Sequence, residues 1–167
     1  WQRNPSKPYI GKGLSCCVKD AGGTYKVAGA TVKNSSDGSV VLLTGTVEIG
    51  QGSRTALSQV VAEELALSLD QISVAQLDTD VTPYDVSTSA SSSMTVMGLA
   101  VQRAARDVKR QLLNAAAKVS GQRVNDLALK NGKLHSRKGQ SIPYGKVIRD
   151  YFGTRAGEII GKGLYRD

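Results

Sequence analysis

Only two of the 167 residues are cysteine, and they are neighbours, Cys16 and Cys17. Successive side chains on extended backbone point to opposite faces, so a ring-closing disulfide between them needs strained geometry. The pair also lacks the spacing that holds an iron–sulfur cluster. They read as free thiols, compatible with a cytoplasmic setting. Histidine occurs once, at His135 in Lys133-Leu134-His135-Ser136, and reads as an exposed turn residue, whereas a mononuclear metal site needs several ligands together. Aromatic residues are sparse, with one Phe, one Trp and six Tyr, and none is interleaved with basic residues, so single-stranded nucleic acid finds few stacking platforms. No stretch approaches the ~18 apolar residues of a membrane span, and Trp1-Gln2-Arg3-Asn4-Pro5 lacks a signal peptide's apolar run. The expectation is a protein without membrane targeting.

What the sequence does contain is enough apolar material for a core, 40% by residue, in a length suited to one domain spanning 1–167. Its first residue is Trp rather than Met, which favours a piece of a longer polypeptide. Lys and Arg number 22 against 14 Asp and Glu, a net charge of +8 that favours an anionic partner: a phosphate-bearing ligand, nucleic acid or an acidic neighbouring subunit.

Tyr9–Val18 reads as a strand that begins irregularly and ends in the turn Asp20-Ala21-Gly22-Gly23. Ala28, Ala30 and Val32 alternate with Gly29, Thr31 and Lys33, a half-buried strand over Val27–Lys33. The cluster Asn34-Ser35-Ser36-Asp37-Gly38 turns the chain into a returning strand over Ser39–Thr44, and Thr46–Ile49 is a fourth extended piece. Leu57, Val60, Val61 and Leu65 then mark an amphipathic helix from Ser53 to Leu67, with Ser53 able to cap its start. Ile72–Leu77 is extended again. Asp78–Ser93 is a polar loop long enough to be functional or packed against another segment; its aspartates, Asp78, Asp80 and Asp85, depart from calcium-loop spacing and read as turn formers.

Thr95–Val119 is the longest periodic segment, with Val96, Leu99, Ala100, Ala104, Val108, Leu112 and Ala115 on one stripe. Val124–Leu129 reads as a short helix, Asn131-Gly132 as a turn and Leu134 as a small strand. Pro143 opens a helix to Phe152, ended by Gly153, and Ile159–Tyr165 is a closing strand. In that strand Gly161-Lys162-Gly163-Leu164 repeats Gly11-Lys12-Gly13-Leu14, too short a match to mark a duplication. This order predicts an α+β fold: a two-layer α/β sandwich, a mixed β-sheet with helices packed on one face.

Two segments carry chemistry. Glu48-Ile49-Gly50-Gln51-Gly52-Ser53 lies where extended backbone becomes helix; its glycines let a ligand approach the backbone, and the helix start offers unpaired N–H groups to an anion. Gln51 presents an amide suited to a flat heterocycle or an oxo group. A plain structural turn explains Gly-Gln-Gly equally well. Thr55 stands where a dinucleotide motif wants its third glycine, and no Gly-Lys-Ser/Thr is present. The second segment, Ser87-Thr88-Ser89-Ala90-Ser91-Ser92-Ser93, brings six hydroxyls to another helix start, where capping alone needs one.

Gly11-Lys12-Gly13, Asp37-Gly38-Ser39-Val40, Thr44-Gly45, Glu48-Ile49-Gly50-Gln51-Gly52 with Thr55 and Gln59, Ala62-Glu63-Glu64-Leu65, Asp78-Thr79 with Pro83, Ala90-Ser91 and Gly98-Leu99-Ala100-Val101 occur in order. Together they resemble the molybdenum-cofactor domain of the xanthine dehydrogenase and aldehyde oxidase family, in detail over Tyr9–Leu112 and loosely through Gly163. The resemblance implies a fragment of the large subunit of a molybdenum hydroxylase, an oxidoreductase that inserts oxygen from water into a C–H bond of an aldehyde or N-heterocycle. It implies a molybdenum-pterin cofactor, as molybdopterin or its cytosine dinucleotide, held by Ile49, Gly50, Gln51 and Gly52 and by Ala90, Ser91 and Ser93. Iron–sulfur clusters and FAD belong to other domains or subunits.

The family's Gly-Glu-Pro segment with its catalytic glutamate has no counterpart here, nor do its earlier glycine-rich loop and substrate-pocket arginine. Glu48 reads as a solvated or paired strand carboxylate, and Glu158 lacks a following proline. No catalytic residue is therefore assigned, and the 167-residue piece alone is expected to be inactive. A basic module binding nucleic acid or an acidic protein is the competing reading. The leading one requires the two helix starts to converge on a single anionic ligand.

Overall fold

The computed structural model describes residues 13–18, 25–153 and 156–166. Strand β1 (Val27–Ser35) alternates half-buried and buried positions along its whole length, as the period-two sequence predicts, and pairs antiparallel with β2 (Val40–Thr44) in register Ala30 to Thr44. The turn between them is held by Asp37, whose Oδ1 accepts the N–H and hydroxyl of Ser39 at 2.8 and 2.6 Å. Those bonds, the hydroxyl first, hold its carboxyl below the usual range. Strand β3 (Ile72–Val74) joins β2 in parallel, and β7 (Glu158–Arg166) pairs antiparallel with β1 from Val27–Arg166 to Ser35–Glu158. The sheet order is β3-β2-β1-β7 and its pairing is mixed.

Two helices cover one face. Helix α1 (Ser53–Leu65) buries Leu57, Val61 and Leu65 of the expected stripe, holds Val60 half-buried against the core, and is capped by Ala66. The single turn α2 (Ser92–Thr95) leads into α3 (Met97–Ser120), the longest element. Leu99, placed on the apolar stripe from sequence, is 40% exposed, while Val101, Ala105 and Ala116 face the core in its stead. The small residues on α3 are explained by β7. A Cβ added at Gly163 would lie 1.9 Å from the Ala100 carbonyl oxygen, and one at Gly161 would lie 2.3 Å from that of Ala104. Gly161-Lys162-Gly163 is thus a helix seat rather than a duplicated motif, because only glycine lets the helix backbone rest on the strand.

Helix α3 also covers the free rim of β7. Arg103, Asp107 and Gln111, four residues apart, form one row. Arg103 Nη1 donates to the Leu164 carbonyl, Lys162 N–H donates to Asp107 Oδ2 at 3.2 Å, and Gln111 Nε2 donates to the Ile160 carbonyl at 2.7 Å.

A second, antiparallel sheet is formed by β4 (Leu127–Lys130), β5 (Lys133–Ser136) and β6 (Ser141–Pro143). The helix expected over Val124–Leu129 is therefore a 3-10 turn, Val124–Asp126, followed by a strand. Its alternating Leu127 and Leu129 pack against the core, which a six-residue apolar pattern cannot distinguish from one helical turn. His135 lies within β5 and is half-buried, not in an exposed turn. Asn131 and Gly132, both at positive φ, form the expected turn. Helix α4 (Tyr144–Phe152) begins one residue after Pro143 and stops at left-handed Gly153. Tyr144 is buried, and its hydroxyl donates to the Leu65 carbonyl at the end of α1, at 2.6 Å. Burial raises its pKa far above the ordinary tyrosine value.

Of the strand expected over Tyr9–Val18, residues 9–12 lie outside the described residues. Gly13–Val18 forms no strand, and Cys16 and Cys17 are exposed free thiols. The turn at 20–23 also falls outside. Among the described residues no helix is long and apolar enough to cross a membrane.

Candidate functional site

The two segments that carried the chemistry lie side by side. After β2 the chain passes through Gly45, where an added Cβ would come within 2.7 Å of the Pro83 carbonyl oxygen. Thr46 Oγ1 donates to Asp85 Oδ2 at 2.9 Å. Thr88 Oγ1 then accepts the Val47 N–H at 3.1 Å and donates to the Val47 carbonyl at 3.0 Å. The 78–93 loop is also tied to β1 through the Gly29 N–H, which donates to the Tyr84 carbonyl at 2.8 Å. These roles of Thr46, Asp85 and Thr88 leave no local pattern in the sequence, since their partners lie about forty positions away. A pocket of about 460 Å³ opens between Gly45 and Val47 on one side and Leu77, Pro83 and Tyr84 on the other. It contains none of the seven residues expected to hold a cofactor.

Those seven occupy the two neighbouring tips. Ile49, Gly50, Gln51 and Gly52 are all exposed, with Gly50 and Gly52 at φ 97° and 76°. An added Cβ at either glycine would meet nothing within 4 Å, so the space above the loop is open and glycine is required by conformation. Ala90 and Ser91 are exposed at φ 48° and 59°, unusual for residues with a side chain, and Ser93 is half-buried.

The electrostatics of the first tip differ from the expectation. Glu48 folds its own carboxylate onto the start of α1. Oε1 accepts the N–H groups of Gly50 and Gly52, both at 2.9 Å, and Oε2 accepts the Ser53 hydroxyl and the Arg54 N–H, both at 3.2 Å. The Gly52 N–H, then those of Arg54 and Gly50 with the Ser53 hydroxyl, hold the Glu48 carboxyl below its ordinary value of 4.5. The anion seat of this helix is therefore filled by a residue of the loop itself, and Ser53 is the first helical residue rather than the cap. Gln51 is equally engaged. Its Oε1 accepts the Ile49 N–H at 2.6 Å, and its Nε2 donates to the Val47 carbonyl at 2.8 Å and to Ser53 Oγ at 3.1 Å.

At the second tip the expected N-terminus of a long helix is the four-residue turn α2, and α3 begins only at Met97. Ser92, 1% exposed, donates its hydroxyl towards the Ser87 and Ser89 carbonyls, both at 2.6 Å, and the Ser87 and Ser89 hydroxyls pair at 2.7 Å. Thr88 serves the neighbouring loop. Of the six hydroxyls, those of Ser91 and Ser93 have no partner among the described residues. What the paired tips offer a large polar ligand is consequently not a vacant helix terminus but serine hydroxyls and exposed left-handed backbone, with the Glu48 carboxylate engaged by four donors of its own loop and helix start. This donor set fits the heterocycle and oxygen-rich parts of a pterin cofactor better than an isolated phosphate. Glu158 is bound to Lys33 at 3.0 Å, and among the described residues no cluster of three metal-ligating side chains occurs.

A family model described as the molybdopterin cofactor-binding domain matches residues 1–167. A nicotinate dehydrogenase subunit of Pseudomonas putida is 30% identical over 145 residues, which make up 87% of this chain and 12% of that one. The 6-hydroxypseudooxynicotine dehydrogenase complex subunit gamma of Paenarthrobacter nicotinovorans is 32% identical over 151 residues, 88% of this chain and 19% of that one. Among solved structures, the reconstituted CO dehydrogenase from Oligotropha carboxidovorans shares the fold, with a TM-score of 0.74 and 23% identity over 86% of this chain and 18% of that one. The chain thus spans less than a fifth of the length of these relatives. With the family model matched from first residue to last, the chain belongs to the molybdopterin cofactor-binding domains.

Proposed function

We propose that this chain is part of the large subunit of a molybdenum hydroxylase and supplies two neighbouring loops to its cofactor. The observation that carries the reading is the Val47–Thr88 stitch, which sets Ile49, Gly50, Gln51 and Gly52 beside Ala90, Ser91 and Ser93 on one side of the domain. When bound, the molybdenum-pterin cofactor supplies hydroxylation of a C–H bond with oxygen taken from water. This chain's residues orient it. The open backbone at Gly50 and Gly52 allows close approach, the Gln51 amide oxygen keeps a second lone pair to accept with, and the Ser91 and Ser93 hydroxyls donate or accept. Because Glu48 already occupies the α1 terminus, the charge of a phosphate or cytosine dinucleotide arm is met by other parts of the longer chain.

The substrate class is small aldehydes or N-heterocycles, in keeping with relatives named for nicotinate and xanthine. Iron–sulfur and flavin domains or subunits remove the electrons, and the setting is cytoplasmic. The catalytic base lies outside this chain, so the piece alone does not turn over substrate. The test is to purify the full-length parent and measure molybdenum and pterin. Gln51→Ala is expected to lower cofactor content or turnover with the far-ultraviolet circular dichroism unchanged; wild-type protein without either component refutes the proposal.

A further inference from the structure

The geometry points to Glu48 as the positioning residue of the Gly50–Gly52 loop, acting on Gln51 through Ser53; this rests on the cofactor function proposed above. Four donors from four residues converge on one carboxylate, at 2.9 Å to Oε1 from Gly50 and Gly52 and at 3.2 Å to Oε2 from Ser53 and Arg54. That convergence fixes both left-handed glycines, satisfies N–H groups at the start of α1, and puts a negative charge where the helix dipole favours one. Ser53, 3% exposed, links it to the glutamine: its hydroxyl donates to Glu48 Oε2 and accepts from Gln51 Nε2 at 3.1 Å.

The chain of bonds runs from the carboxylate through one buried hydroxyl to the amide at the loop's tip. Removing the acceptor at its root lets Ser53 rotate, withdraws one of the three bonds that hold the Gln51 amide, and frees the left-handed glycines on either side of that residue. With its carboxylate engaged by four donors of its own loop and helix start, Glu48 determines what the loop presents. The seat it fills is a small-carboxylate seat, and because the loop is exposed, an external anion can enter it when the side chain is cut back.

The experiment uses the full-length parent with Glu48→Ala, Glu48→Gln and Glu48→Asp. Hydrogen exchange at the amides of residues 50–54 and molybdenum and pterin content are read in formate and in chloride at equal ionic strength. Glu48→Ala is expected to lose amide protection and to retain the cofactor roughly tenfold less well; formate restores both in part and leaves wild type unmoved. Glu48→Asp falls between, and Glu48→Gln, nearly isosteric but uncharged, reports the same loss should the alanine variant fail to fold. Unchanged protection in Glu48→Ala, no formate response, or wild-type cofactor content in both Glu48→Ala and Glu48→Gln overturns the inference. A wild-type parent devoid of molybdenum and pterin overturns instead the cofactor reading, and the formate response then still decides the role of Glu48 in the loop.

Discussion

Replacing Gly163 with alanine tests the packing of α3 on β7, on which the main sheet's helical layer depends. The added methyl would start 1.9 Å from the Ala100 carbonyl oxygen and 2.5 Å from the Ala104 nitrogen, both backbone atoms that no rotamer change can move. Ordinary contact begins at 3.4 Å, so α3 must rise by roughly 1.5 Å locally. The strand cannot retreat, because β7 is paired with β1 along its full nine residues. Overpacking alone costs about 1–3 kcal/mol, and a gap of ~0.5–1 Å already forfeits a quarter to a half of each dispersion contact beneath the helix. Together these give about 3–5 kcal/mol, or roughly 6–20 °C in melting temperature for a domain of this size. The control is Gly139→Ala, where φ is 84° and no atom lies within 4 Å; its cost is the left-handed backbone penalty alone, about 1–2 kcal/mol. Urea unfolding of the parent protein, followed by hydrogen exchange at α3 and β7 amides, separates the two. Equal costs for the two substitutions would refute the argument that glycine is there for helix approach.

Tyr144→Phe strands the buried Leu65 carbonyl that its hydroxyl serves, and is expected to destabilise by about 1–3 kcal/mol in the same assay. Glu48 gives a pH dependence. Its folded pKa is depressed, so its contribution is present above the ordinary glutamate value of 4.5 and is lost as pH falls through the lower folded value. Protection of the Gly50, Gly52 and Arg54 amides should therefore weaken in acid below that point in wild type, and Glu48→Gln should remove that dependence. Asp37 follows the same sign, and Asp37→Asn should flatten the acid limb for the β1–β2 turn, read at the Ser39 amide.

Local regularity makes much of this fold readable in sequence. The alternation of Ala28, Ala30 and Val32 and the stripe of Leu57, Val60, Val61 and Leu65 each encode which face is buried, and the structure buries both faces, with Val60 alone of these seven only half-buried. Gly161 and Gly163 are visible but not interpretable from sequence, because their meaning lies in Ala100 and Ala104, about sixty positions away. A similar separation hides the Thr88–Val47 bond. Glu48 is more legible than its reading as a strand carboxylate allows: an acceptor two and four residues ahead of glycines at a helix start is a local capping signal. That reading follows from treating Thr46–Ile49 as extended, whereas the structure forms no strand there. The second tip departs from expectation because Val96 interrupts what periodicity alone shows as one helix.

The row formed by Arg103, Asp107 and Gln111 has a counterpart at the opposite rim, where Arg54 donates to the carbonyls of Val74 and Ala75 at 3.1 and 3.0 Å. With guanidinium and amide groups standing in for a neighbouring strand on both flanks, the sheet ends where its own helices say it ends. At these carbonyls and at the Lys162 N–H, an incoming strand would have to displace a side-chain partner before it could pair.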